Sequence, residues 1–161
     1  MRRLLLFAWL GLAACSDESP PRLKPGTAAP PFAAPMLDGR QRTFPGDFAG
    51  RPLAIVFWSA SCPPCVRELQ EIERLYQRTA KPLQVVAIHV GQDKSTAATL
   101  ASRLALGFPV LLDEDGAIAR RYGLVGLPTT YFVDAVGTLR SKLVGEADAA
   151  TFQSQAQDLL P

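Results

Sequence analysis

The residues of this chain with the clearest chemical potential are two cysteines separated by two prolines, Cys62-Pro-Pro-Cys65. Two thiols at this spacing can close into a disulfide and open again, which is the chemistry of dithiol exchange. The pair follows a continuous apolar run, Leu53 to Trp58, and precedes an amphipathic stretch, Pro63 to Thr79. A cysteine pair at such a strand-to-helix junction indicates a redox motif.

The predicted helix places Cys62 at its N-cap and the two prolines in its first turn, where a missing N–H group is tolerated. A helix N-terminus carries about half a positive charge, so a thiolate is favoured there. The prolines remove two N–H donors, and we therefore expect moderate stabilisation, typical of a reductant or a balanced exchanger rather than a strong oxidant. Cys65, one turn further, is expected to be more buried and to act as the resolving thiol.

Three other functions of the cysteine pair stay open at this point. A purely structural disulfide across so short a loop gives little entropic benefit. A zinc site or a copper-binding module needs more ligands, for which the chain offers only His89 and Met36. A peroxiredoxin-like thiol peroxidase would pair Cys62 with the Ser59 hydroxyl, but Ile55 stands where a proline is expected. His89 itself is most simply a satisfied core or edge histidine at a strand end.

The rest of the chain alternates between predicted strands and helices. An Asp38-Gly39 turn predicts a hairpin within Phe32 to Phe44, and a second turn is expected at 134–137. Strand–helix–strand alternation followed by a hairpin and a helix indicates an α/β fold with a mixed sheet flanked by helices. The predicted strands are 53–58, 83–90, 109–112, 129–133 and 139–144, and the predicted helices are 63–79, 95–106 and 148–159.

The N-terminal segment is predicted to be an export signal. Residues 1–14 carry two arginines before an apolar run from Leu4 that is too short to cross a bilayer as a helix. The following Cys15 completes a sequence that resembles the lipobox of bacterial lipoproteins, and acylation there would anchor the chain to a lipid bilayer. Ser16 favours the outer membrane, and the proline-rich residues 15–31 are expected to form an extended tether.

Composition and charge exclude several other classes of protein. The chain has 161 residues, 20% of them charged and 48% hydrophobic, which is typical of one globular domain rather than a disordered chain or a coiled coil. Its 17 Lys and Arg residues oppose 15 Asp and Glu residues, and two arginines lie in the predicted signal. The mature chain is therefore balanced, and its charge gives no reason to expect a nucleic-acid partner. The three cysteines divide into one lipidation site and one redox pair.

Four motifs within residues 24–161 extend the argument beyond the cysteine pair. They are Gly26-x-x-Ala29-Pro30-x-Phe32, Phe57-Trp58-x-x-x-Cys62-Pro-Pro-Cys65, Phe108-Pro109-Val110 and Tyr122-Gly-Leu-Val-Gly-Leu-Pro-Thr-Thr130. With these motifs the chain resembles the thioredoxin superfamily, and within it the TlpA/ResA group of membrane-anchored thiol–disulfide oxidoreductases. The resemblance implies a thioredoxin-like fold, with the predicted hairpin as an N-terminal extension.

The resemblance also implies the supporting residues of the site. Pro128 is expected to be cis and to face the cysteine pair, and backbone near Leu127 to bind a substrate polypeptide by short β-like pairing. Glu68 would move protons for Cys65, and an exposed helix charge is the alternative interpretation of that residue. We expect Trp58 to pack beside the pair and to belong to the substrate-binding surface.

The implied partners are disulfide-containing proteins and a membrane thiol reductase that supplies electrons. Cytochrome c maturation and the rescue of oxidised thiols on the periplasmic side of the cell envelope are the implied settings, and no cofactor or metal is implied.

Two residues of this chain differ from those usual in related proteins. Ser61 replaces the tryptophan usual before the first cysteine, which points to a different choice of partners. Val56 stands where cytoplasmic thioredoxins carry a buried aspartate, so Glu68 or water must take the proton.

Overall fold

The computed structural model describes residues 22–78 and 83–160. The predicted signal peptide, the predicted lipidation site Cys15 and the first part of the predicted tether lie outside these residues. The chain begins with a two-stranded antiparallel hairpin of β1 (Phe32–Pro35) and β2 (Gln41–Phe44). Gly39 in its turn has a φ of +87°, a left-handed conformation that glycine adopts without strain. The predicted hairpin is confirmed.

The remaining strands form one mixed sheet in the order β5-β4-β3-β6-β7. β4 is parallel to β3 and to β5, whereas β6 is antiparallel to β3 and to β7. The predicted mixed sheet and each of its strands are confirmed. The strand bounds are β3 (Leu53–Trp58), β4 (Gln84–Val90), β5 (Val110–Asp113), β6 (Thr129–Val133) and β7 (Leu139–Val144).

In the described part of the chain, four α-helices and a short 3-10 turn at Gly46–Phe48 accompany the sheet. The helices are α1 (Pro63–Arg78), α2 (Lys94–Arg103), α3 (Ala117–Arg121) and α4 (Ala149–Gln157). The sequence did not predict α3, because five residues are too few to show a helical hydrophobic period. Within residues 22–78 and 83–160, no helix is long and apolar enough to cross a membrane.

The sheet has a hydrophobic core on each side, as the alternation of residues along β3 requires. Leu53, Ile55 and Phe57 face the core that also contains the hairpin, and the intervening residues of β3 face the core beneath α1. Every residue of β3 is buried, so this strand is fixed from both sides. The first core is rich in aromatic side chains, which are Phe32, Phe44, Phe48, Phe57, Tyr122 and Tyr131.

The described part of the predicted tether is bound to the domain. The Gly26 amide donates a hydrogen bond to the Leu139 carbonyl at 2.8 Å, and the Ala29 amide donates one to Gly137 at 2.9 Å. The Tyr122 hydroxyl donates to the Pro30 carbonyl at 2.7 Å. The expectation of an extended tether as far as residue 31 is therefore wrong for these residues, because their backbone groups are used in pairing with the start of β7.

Asp113 holds the unpredicted helix α3 in place. Its buried carboxylate accepts hydrogen bonds from the backbone amides of Ile118 at 3.0 Å and Ala119 at 2.8 Å. These are two of the amides at a helix start that have no partner within the helix. The short helix α3 is thereby tied to the end of β5.

We expect Asp113→Ala to lower the free energy of unfolding by about 3 kcal/mol, because two buried amides lose a charged acceptor. The measurement is urea denaturation. The matched control is Asp115→Ala, since exposed Asp115 accepts one hydrogen bond from the Ala117 amide at 3.0 Å, and its loss should cost about 1 kcal/mol or less. Equal losses for the two variants would contradict the role given to Asp113.

Candidate active site

The two cysteines lie where β3 passes into α1, and they form a disulfide with an S–S distance of 2.07 Å. Cys62 directly precedes the first helical residue and is half-buried. Cys65 lies one turn further along and has no exposed surface. The predicted order of exposure is confirmed, so another protein can approach the residue at the start of the helix but not its partner.

The start of α1 offers the first sulfur few hydrogen-bond donors. Pro63 and Pro64 have no N–H group, and the first amide of the helix belongs to Cys65. This amide donates to Cys62 Sγ at an N···S distance of 3.3 Å. One donor in place of three fits the expectation of moderate rather than strong stabilisation of a thiolate.

The loop before the cysteines uses its hydroxyl groups internally. Ser59 Oγ lies 3.0 Å from the Oγ of Ser61, and the Ser59 carbonyl accepts the Cys62 amide at 3.1 Å. Ser61 is exposed in the place where the TlpA/ResA group usually has tryptophan. A peroxidase would need the Ser59 hydroxyl directed at Cys62, and in this structure its recorded partner is Ser61 instead.

Pro128 lies at the same edge of the sheet as the cysteine pair. Phe57 of β3 pairs with Thr129 of β6, and the two strands are antiparallel. The residues that follow β3 and those that precede β6 therefore share one edge. The Leu127–Pro128 peptide bond is cis, in agreement with the expectation from the motif. Leu127 is half-buried and packs against both cores.

Trp58 is an internal residue. It has no exposed surface, and it belongs to the same core cluster as Cys65. The prediction that Trp58 forms part of a substrate-binding surface is therefore wrong, because the last residue of β3 is covered by α1. The ring packs edge-on against that of His89, with 5.0 Å between the ring centroids.

His89 is buried on the α1 side of the sheet, where it pairs in register with Trp58. Among the described residues, neither ring nitrogen has a hydrogen-bond partner, and the same is true of the Trp58 Nε1. The expectation of a core histidine at a strand end is confirmed by its burial near the end of β4. Its expected hydrogen bonding is not complete, because the Gly91 backbone interacts with the ring but lies outside full hydrogen-bonding geometry. Burial lowers the pKa of His89, while the nearby charge of Asp93 opposes that shift.

Glu68 lies on the buried face of α1, with 1% of its surface exposed. It lies three residues after Cys65, so both side chains are on one face of the helix. Neither carboxylate oxygen has a hydrogen-bond partner among the described residues. Burial raises the pKa of Glu68 to about 7, the backbone amide of Ala147 offsets part of this rise, and the charge of Glu146 adds to it. The interpretation of Glu68 as an exposed helix charge is wrong.

A carboxyl group with this pKa can both take up and release a proton near neutral pH. It sits on the same helix face as the buried cysteine, which must lose its proton to act as a thiolate. The geometry thus places a half-buried sulfur, a fully buried sulfur and a buried carboxyl group within the first two turns of α1.

An ion pair that the sequence did not reveal lies next to this carboxyl group. Arg67 Nε is 2.7 Å from Glu146 Oε1, and Arg67 Nη2 is 2.5 Å from Glu146 Oε2. The partners are 79 positions apart in the chain, which no local spacing rule connects.

The described residues contain no group of three or more His, Cys, Asp and Glu side chains that could hold a metal ion.

The buried carboxyl group makes the stability of the protein depend on pH. Between pH 4.5, the usual pKa, and about 7, the folded chain keeps a proton on Glu68 that the unfolded chain releases, so stability falls as pH rises. We therefore expect Glu68→Gln to raise the free energy of unfolding at pH 8 by up to about 3 kcal/mol, and to change little at pH 4.

The measurement is chemical denaturation of the oxidised protein at both pH values. Glu71→Gln is the matched control, because Glu71 lies on the same helix in an exposed ion pair with Arg74. It should show no comparable difference between pH 4 and pH 8. An equal effect of Glu68→Gln at both pH values would argue against a buried, titrating carboxyl group.

Comparison with known sequences agrees with this geometry. Residues 25–142 match the AhpC/TSA family. Over 137 residues the chain is 28% identical to the thiol-disulfide oxidoreductase ResA of Geobacillus thermodenitrificans, which covers 84% of this chain and 78% of that protein. Over 126 residues it is 30% identical to the thioredoxin-like protein YneN of Bacillus subtilis, with 76% and 73% covered.

Solved structures share the fold. A secreted disulfide oxidoreductase of Mycobacterium tuberculosis that is homologous to Escherichia coli DsbE aligns with a TM-score of 0.71 and 25% identity, covering 80% of this chain and 96% of that one. A thiol:disulfide interchange protein of the thioredoxin family from Chlorobium tepidum aligns with a TM-score of 0.74 and 22% identity, covering 88% and 100%. With the family match spanning both the cysteine pair and Pro128, the chain belongs to the thioredoxin-like AhpC/TSA family, in which it is similar to ResA.

Proposed function

We propose that this protein is an extracytoplasmic thiol–disulfide oxidoreductase that reduces disulfides in other proteins through Cys62 and Cys65. The observation that carries this proposal is the closed Cys62–Cys65 disulfide at the start of α1, with one half-buried and one fully buried cysteine. The names of the relatives ResA and DsbE support the same chemistry.

In the reduced protein, the Cys62 thiolate attacks one sulfur of a substrate disulfide. A Cys62–substrate disulfide forms, and the other substrate sulfur leaves as a thiolate that takes a proton from water. The Cys65 thiolate then attacks Cys62 Sγ, which forms the intramolecular disulfide and releases the second substrate thiolate. Two electrons pass from the protein to the substrate, and a dithiol donor must later return them.

Glu68 serves the second step in this mechanism. Cys65 is fully buried, so its proton has no direct path to bulk water. Glu68 is on the same face of α1, and its pKa of about 7 suits transfer in both directions. Because Val56 occupies the position of the buried aspartate of cytoplasmic thioredoxins, β3 offers no carboxylate for this task.

The substrate polypeptide binds at the edge formed by the start of α1 and the loop before β6. Leu127 and Pro128 border this edge, and Val125 in the same loop is 77% exposed. Backbone near Leu127 would pair with an extended substrate segment. Small Ser61 beside Cys62 leaves more room for the substrate than a tryptophan would.

We expect Cys62→Ser to abolish the reduction of insulin disulfides. Cys65→Ser should also lose turnover but accumulate the Cys62–substrate disulfide, because the first bond forms and cannot be resolved. The two variants control for each other, and mass spectrometry of trapped complexes distinguishes them. Activity that survives in Cys62→Ser would contradict the mechanism.

The purified protein also allows a test of whether it reduces or oxidises disulfides, and of the two alternative functions, thiol peroxidase and copper-binding module. Trp58 is the only tryptophan after Trp9, and its fluorescence in dithiothreitol or glutathione buffers reports the reduction potential. A potential well below that of glutathione supports a reductant. Rapid peroxide turnover without insulin reduction would favour a thiol peroxidase, and stoichiometric Cu(I) binding without either activity would favour a copper-binding module.

The N-terminal residues support a proposal about where the protein is located in the cell envelope. Acylation of Cys15 would hold the domain at a bilayer on the periplasmic side, with the outer membrane favoured by Ser16. A membrane thiol reductase would then be the electron donor, and cytochrome c maturation or general repair of oxidised thiols the setting. The described N-terminal residues join the domain at the start of β7, which is the opposite end of the sheet from the cysteine pair. The pair of an anchored protein would thus be directed away from the lipid.

We expect Cys15→Ser in the full chain to move the protein from the membrane fraction to the soluble fraction of the cell envelope. The lost acyl chains are worth about 0.8 kcal/mol per buried CH₂ group, which no described element replaces. Fractionation with metabolic labelling by a fatty acid is the measurement. Cys62→Ser, which leaves the anchor intact, is the control. Unchanged membrane association of unlabelled Cys15→Ser would contradict lipidation.

A further inference from the structure

The ion pair between Arg67 and Glu146 joins two segments that are distant in the chain. Arg67 is in the second turn of α1, and Glu146 is in the loop between β7 and α4. Two hydrogen bonds connect the guanidinium group to the two carboxylate oxygens, at 2.7 and 2.5 Å. Such a two-bond arrangement fixes geometry more firmly than a single contact between flexible side chains.

The two joined segments are also those that surround the buried Glu68. Arg67 is its neighbour on the helix, and Glu146 is the neighbour of Ala147, whose amide interacts with the Glu68 carboxyl group. Arg67, Glu146 and Ala147 line an open cleft on the surface. Glu68 does not line this cleft, and only 1% of its surface is exposed.

We propose that the Arg67–Glu146 ion pair is a clasp that keeps water away from Glu68, and that both residues thereby act as positioning residues for its proton transfer. When the clasp is closed, the carboxyl group is held in an apolar environment beside Cys65. When it opens, water from the cleft reaches the carboxyl group. The clasp does not touch the reacting sulfurs, and the proposal rests on the role given to Glu68 above.

The elements packed around Glu68 differ in the charged and titratable residues that they carry. α4 carries no charged residue between Ala149 and Gln157, and buried His89 lies on the sheet in register with Trp58. The charged side chains that line the cleft, on α1 and in the loop after β7, are Arg67, Glu71, Arg74, Glu146 and Asp148. Of these, Glu146 is the one whose charge is among the causes of the raised pKa of Glu68.

Charge and hydration make opposite predictions for one variant. Arg67→Gln removes a cation and leaves Glu146 unpaired, and by charge alone both changes would raise the pKa of Glu68. Opening the clasp instead hydrates the carboxyl group and lowers its pKa. Burial is the largest cause of the raised pKa of Glu68, and the charge of Glu146 is the smallest of its three causes. Loss of the seal should therefore dominate.

The test is a titration of the Glu68 side chain by ¹³C NMR in the oxidised protein, with Glu68→Gln used to assign the signal. We expect Arg67→Gln and Glu146→Gln each to lower the pKa of Glu68 by about one unit or more. Arg67→Lys, which can still bridge to Glu146, should give a smaller shift. Arg74→Gln is the matched control, since it removes the same charge from the Arg74–Glu71 pair on the same helix and should leave Glu68 unchanged.

A pKa that rises in Arg67→Gln would show a purely electrostatic role and overturn the clasp. No shift in Arg67→Gln would overturn it as well, and so would an equal shift in Arg74→Gln. Because the titration uses the disulfide form, its result does not depend on thiol chemistry. If Glu68→Gln left insulin reduction unchanged while Arg67→Gln lowered the pKa of Glu68, the proton-transfer role would fail and the clasp would stand.

Discussion

The pairing of β3 with a parallel strand on one side and an antiparallel strand on the other determines where the active site lies. Because β4 runs parallel to β3, the helix between them must run back across one face of the sheet. Its N-terminus therefore lies at the end where β3 stops. Because β6 runs antiparallel, its first residue pairs near that same end, where Phe57 meets Thr129. The cysteine pair and the cis Leu127–Pro128 bond thus meet at one edge, although they are more than 60 positions apart. The complete burial of β3 makes this arrangement rigid.

Several buried polar atoms between the sheet and α1 have no hydrogen-bond partner among the described residues. Glu68, His89 and Trp58 all have buried polar atoms without a partner among the described residues. Each such atom costs about 1–3 kcal/mol relative to a paired one. The two titratable groups respond by favouring their neutral forms, since burial raises the pKa of Glu68 and lowers that of His89. The result is a region behind Cys65 in which the Glu68 carboxyl group is about half protonated near pH 7.

The sequence could predict the fold in nearly all its parts, because the strands are strongly apolar and the cysteine and proline motifs fix the topology. It missed α3, which depends on the buried Asp113 carboxylate rather than on hydrophobic periodicity. Within the site, the cysteines and Pro128 could be located from motifs alone. The burial of Glu68 and the incomplete hydrogen bonding of buried His89 could not, because they depend on which residues of distant elements pack over them. The Arg67–Glu146 contact is the extreme case, since neither residue carries a motif.

A second glutamate on α1 shows that the same helix surrounds another buried carboxyl group differently. Glu73 is also buried, five residues further along, at the other edge of the buried face of the helix. Its carboxylate accepts the Gly107 amide at 2.8 Å and the side-chain amide of Gln77. The protein can therefore bury a carboxylate on this helix and satisfy it, as it does where the helix must be tied to the loop before β5. At Glu68, one turn from Cys65, the nearby donor is the Ala147 amide, and neither carboxylate oxygen has a partner within full hydrogen-bonding geometry among the described residues. Burial therefore dominates there and raises the pKa of the carboxyl group to about 7.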